Sequence, residues 1–96
     1  MINMGIAIEE ITAKLNLPEN KLISESLKAW IEKEIKLAEG DIADLRDRYN
    51  VPTKDELEKN IKAGKTHSHP AWEDLITWEN LEEHIRWLKD LLKKVD

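Results

Sequence analysis

Apolar residues recur along two stretches of the chain with helical spacing. In the last quarter Trp78, Leu81, Ile85, Leu88, Leu92 and Val95 are spaced 3, 4, 3, 4, 3, and earlier Ile31, Ile35, Ala38, Ile42, Leu45 and Tyr49 are spaced 4, 3, 4, 3, 4. Each run is an apolar heptad seam, long enough for a packed helix. The polar positions between them are dominated by Lys and Glu, which suits solvated helix faces. The pattern therefore predicts two long helices that bury their seams against each other.

The remaining segments connect, cap or extend that pair. Ile2, Ile6, Ile8, Ile11 and Leu15 form a leader over 1–16, in which Met1 to Gly5 reads as a short extended arm and Ile8, Ile11, Leu15 as helix. So short a helix needs a surface to dock on, most simply the open end of the two long helices. Asn16 with Glu19 has the capping-box spacing, and Pro18 suits a first turn, so a long helix is expected over 17–50. Gly40 is its weak point, costing about 1 kcal/mol relative to Ala, and beside Ala38 it reads as a place of close backbone approach. Asn50 and Pro52 end that helix. Thr53 to Glu56 is a capping box for a short helix over 53–64 with Leu57 and Ile61 as its buried face and Gly64 as its stop. Pro70 opens a long helix over 69–95, with Glu73 and Asp74 in its first turn to complement the macrodipole. The connection of about 20 residues makes an antiparallel hairpin the economical arrangement. Facing residue numbers then sum to about 123, placing Tyr49 near Leu75, Ala38 near Ile85 and Ile31 near Leu92. The expected fold is all-α: a long antiparallel helical hairpin with a short helix at the bend and a short N-terminal helix or arm, forming a dimeric bundle.

Composition narrows the function. With 96 residues, a single elongated domain buries its apolar surface poorly, so a homodimer is expected. A net charge of −5 disfavours non-specific binding to nucleic acid or anionic membrane and favours basic protein partners. Without cysteine there are neither disulfides nor thiolate metal sites. The start lacks the marks of a signal peptide and no run has the length of a membrane span, so a soluble cytoplasmic protein is expected. The absence of Gln and Cys beside abundant Glu and Lys leans towards a thermophile source.

Candidate chemistry is sparse. His67 and His69 flank Ser68 and His84 follows on the last helix, but a metal site needs further ligands, so no metal or other cofactor is expected and the loop reads as a cap before Pro70. Trp72, Glu73, Asp74, Trp78 and Glu79 pair aromatics with carboxylates, without a nucleophile and base or a phosphate loop, so no enzyme and no catalytic residue is expected. The stretch Ile11 to Leu27 echoes a helix-turn-helix, but its second helix is acidic for a major groove, so nucleic-acid binding would need a partner. Trp30, Leu37, Trp87 and Leu91 lie off both seams as a second apolar strip. Either the leader covers it or it is a face for a second copy or another protein.

Three stretches, Glu25-Ser-Leu-Lys-Ala-Trp-Ile-Glu-Lys-Glu-Ile35, Arg48-Tyr-Asn-Val51 with Asp55-Glu-Leu-Glu58, and Trp72-Glu-Asp-Leu-Ile-Thr-Trp-Glu-Asn-Leu-Glu82, resemble the small helical antitoxin-like proteins of archaea and bacteria. The likeness covers residues 16–96. It implies a binding role in which acidic helices cover the basic, RNA-facing surface of a toxin. The function expected is thus a non-enzymatic protein-interaction module of antitoxin type, with a dimeric DNA-binding regulator or a purely structural oligomerisation protein as the alternatives.

Overall fold

The computed structural model describes residues 4–95, with side chains from Ala7 onward. Four helices follow in order: α1 Met4–Leu15, α2 Glu19–Tyr49, α3 Lys54–Lys62 and α4 Ser68–Lys94. The described residues contain no strand. At about 1.5 Å per residue, α2 is the spine of a molecule measuring 61 × 29 × 16 Å.

Local chemistry sets the helix ends. Asn50 takes the left-handed conformation (φ 52°, ψ 48°) and its amide and that of Val51 both donate to the Arg46 carbonyl, closing α2. The Thr53 hydroxyl accepts from the Glu56 amide at 3.2 Å, so Thr53 caps the start of α3 as expected, while the Glu56 carboxylate faces Lys59 at 3.9 Å in place of closing the box. Gly64, at φ 75°, turns the chain after α3. His69 is extended (φ −119°, ψ 124°), so the continuous part of α4 begins at Pro70.

The start of α2 departs from expectation. Asn16 is left-handed (φ 54°) and Leu17 donates to the Thr12 carbonyl at 3.0 Å, so Asn16 closes α1 and does not cap α2. Two residues separate it from Glu19, and the Pro18 carbonyl accepts from the Lys21 and Leu22 amides in its place. No side chain caps that end.

The seams meet as expected. Ile31, Ile35, Ala38, Ile42 and Leu45 of α2 are buried against Leu75, Trp78, Ile85 and Leu88 of α4. Val51, Leu57, Ile61 and Ala71 continue the core around the bend. Full burial of a Leu or Ile contributes roughly 1.5–3 kcal/mol, which makes this seam the source of the hairpin's cohesion. Trp78 is its largest wholly buried side chain, and its indole N–H has no hydrogen-bond partner.

Two further expectations are corrected. A Cβ on Gly40 would meet nothing within 4 Å, so no backbone approaches there, and α2 passes through it as one unbroken helix. The small buried residue that lets the helices close is Ala38. The leader does not lie across the ends of both long helices as expected. No residue from Glu19 to Trp30 is buried, whereas Ile31 begins the core shared with α4, and α1 packs back along this overhang, Ile8 and Ile11 lying beside Leu22, Ile23, Ser26 and Leu27. The three-residue turn 16–18 is too short to carry α1 anywhere else. Of the expected extended arm, Met4 and Gly5 are helical, while Met1 to Asn3 and the side chains of Ile2 and Ile6 lie outside the described residues.

Candidate protein-interaction surface

The hairpin has two edges, and one of them carries a groove shared by α2 and α4. Asp41, Asp44 and Arg48 of α2 share a shallow groove with Asp74, Thr77 and Leu81 of α4. Leu37 lies one turn before Asp41 on that edge and Trp30 two turns before Leu37. Across the groove His84 lies one turn beyond Leu81, and its ring stacks on Trp87 with centroids 5.8 Å apart and planes 18° from parallel.

Trp30, Leu37 and Trp87 are 50%, 54% and 55% exposed, so the leader leaves them uncovered. Leu91 differs from them. It is three residues beyond Leu88, turns partly inward and packs against the core. Three of the four expected interface residues are thus open surface, and the fourth packs against the core.

The bend end of this edge is polar and ordered. Arg48 Nη1 donates to Asp74 Oδ2 at 3.0 Å, and the Tyr49 hydroxyl donates to the same oxygen. Burial, and then the bond to Asp74, push the Tyr49 phenol above its ordinary value. The hydrogen bond and the charge of Asp74 raise Arg48 likewise. Asp74 thus joins α4 to the end of α2, and Arg48 turns to it across the seam although Asp44 lies at i−4 on its own helix. This corrects the macrodipole role expected of Asp74, because the antiparallel register delivers two donors to its carboxylate.

The other candidate groups do not converge. His67, Ser68 and His69 are exposed; His69 Nδ1 lies 3.7 Å from Glu73 Oε1. Among the described residues no three His, Asp or Glu side chains gather where they could hold a metal ion. Of the aromatic–carboxylate pairs, Trp78 is sealed in the core, Trp72 is on the surface and Asp74 is engaged by Arg48 and Tyr49. No helix among the described residues is long and apolar enough to cross a membrane.

A second open surface was not singled out from the sequence. Ile11 and Leu15 of α1 and Ile23 and Leu27 of α2 are large, apolar and exposed, and an open apolar groove of about 350 Å³ runs between the two helices. Its signal was present, since Ile23, Leu27, Trp30 and Leu37 fall at i, i+4, i+7 and i+14. That stripe merges with the seam beginning at Ile31 and reads as its lead-in. Trp72 and Ile76, one turn apart near the start of α4, are exposed as well.

No solved structure matches the chain. It is 34% identical over 76 residues to "Uncharacterized protein MJ0235" of Methanocaldococcus jannaschii, a match covering 79% of this chain and 93% of that protein. The profile of the Uncharacterized protein MJ0235 family matches residues 1–96, taking in the leader, the spine and the closing helix alike. The chain belongs to the Uncharacterized protein MJ0235 family.

Proposed function

We propose that this protein is a non-enzymatic, cytoplasmic protein-interaction module, homodimeric, that covers a basic surface on a partner protein; the form implied by the antitoxin resemblance is a helical protein masking a toxin. The observation that carries the reading is the exposure of three large apolar side chains, Trp30, Leu37 and Trp87. Tryptophan is costly to leave wet and is enriched at the centres of protein interfaces. Asp41 and Asp44 continue the α2 side of this surface beyond Leu37, while Lys33 and Lys36 flank Leu37 on the other side, so the anchor stands among charges of both signs with the acidic ones towards the bend. A partner with an apolar pocket bordered by Lys or Arg matches both the anchor and those acids, and charge complementarity speeds encounter as well as choosing the partner. Duplex DNA is a poorer match, because the helix-turn-helix echo, Ile11 to Leu27, holds two carboxylates against two lysines and offers no surplus of positive charge.

The test is co-expression with the products of the adjacent reading frames. A neighbour that co-purifies, and whose toxicity is relieved, supports the reading when the double variant Leu37→Glu, Trp87→Glu keeps its helical circular dichroism and loses the complex. Trp87→Ala alone is expected to cost about 2 kcal/mol of binding. No complex with any neighbour, or one indifferent to the double variant, rejects it.

A further inference from the structure

We infer that the overhang, formed by α1 and the first three turns of α2, seats a second copy of this chain, the two docking open end to open end as an antiparallel four-helix bundle. This rests on the homodimeric part of the proposed function and assigns the dimer to a surface that shares Trp30 with the partner surface and leaves Leu37 and Trp87 to it.

Three observations converge on a second copy. Among the described residues Glu19 to Trp30 contributes no buried side chain although α1 packs along it, and two short helices do not enclose a core. The exposed parts of Ile11, Leu15, Ile23, Leu27 and Trp30 amount to about 500 Å² of apolar surface, which is the apolar content of a standard homodimer interface taking about 800 Å² from each partner. The charge is sorted to suit self-association. Residues 39–83, around the bend, hold twelve carboxylates against six Lys and Arg, whereas 4–30 hold four against three. Joining open ends brings the apolar, nearly neutral segments together and keeps the acidic ends at opposite poles, far beyond the Debye length of about 8 Å at physiological salt. A two-fold axis through the overhang makes the contact isologous and closed, so assembly ends at two.

The test is the mass of the full chain in solution at about 50 µM, where a micromolar dimer is almost fully associated. The wild type is expected at twice 11.2 kDa. Ile23→Glu with Leu27→Glu is expected to halve that mass with helical content retained, since both side chains are already exposed in the single chain. Leu15→Glu, on the other helix of the overhang and 60% exposed, is expected to do the same. Leu37→Glu with Trp87→Glu is expected to stay dimeric. A monomeric wild type, any mass above a dimer, a dimer that survives both overhang changes, or one broken only by the Leu37 and Trp87 changes overturns the inference. The last two results leave partner binding through the edge open, whereas loss of partner binding with the overhang dimer intact concerns the proposed function alone.

Discussion

Replacing Gly40 by Ala is the sharpest test of how the spine helix is built. In the sequence this glycine marks a place where another backbone comes close; in the structure it sits exposed in mid-helix, and an added Cβ meets nothing within 4 Å. The methyl therefore neither clashes nor gains burial, and only the backbone term remains. Removing a mid-helix glycine restricts the unfolded chain and raises helix propensity, together about 1 kcal/mol. For a domain of this length that raises the thermal midpoint by about 5 °C. The assay is thermal and urea unfolding followed by circular dichroism at one fixed protein concentration, since a dimer's midpoint depends on concentration. The urea slope should not change, because the surface exposed on unfolding does not. Ala43→Gly, exposed on the same helix, is the control and should lose about 1 kcal/mol. If Gly40→Ala lowers the midpoint while the control behaves, something does approach Gly40 in solution, and the open-surface reasoning fails.

Two other outcomes follow from the seam and the bend. Trp78→Ala removes the largest wholly buried side chain and is expected to cost about 3–5 kcal/mol in urea unfolding; a loss under 1 kcal/mol would mean that the seam does not carry the hairpin. Tyr49 has its phenol raised, so its contribution is complete below the ordinary value near pH 10 and is lost as pH climbs through the higher folded value. Tyr49→Phe should therefore lose stability at neutral pH and show a shallower alkaline decline than the wild type, read from urea midpoints between about pH 8 and pH 11; parallel curves would refute the role given to the phenol.

Spacing alone determined the elements of this protein and their pairing. The heptad seams, the Asn50 stop, the Thr53 cap and Pro70 were legible because each rests on chemistry within a few residues of chain, and the antiparallel register followed from matching two stripes of equal period. What tertiary structure decided was where the shorter pieces lie and which groups meet across the hairpin. Asn16 closes α1 because it takes the left-handed conformation and lets the Leu17 amide return to the Thr12 carbonyl, which leaves the start of α2 without a side-chain cap. Asp74 became the joint between α2 and α4 because the register placed Arg48 and Tyr49 against it, a meeting across 25 residues that no local pattern encodes. The overhang arose because burial against α4 begins only at Ile31, three turns into α2, so apolar residues that read as the beginning of a buried seam stand in the open. Periodicity reports which side of a helix is apolar; how far its neighbour extends along that side is a property of the assembled chain.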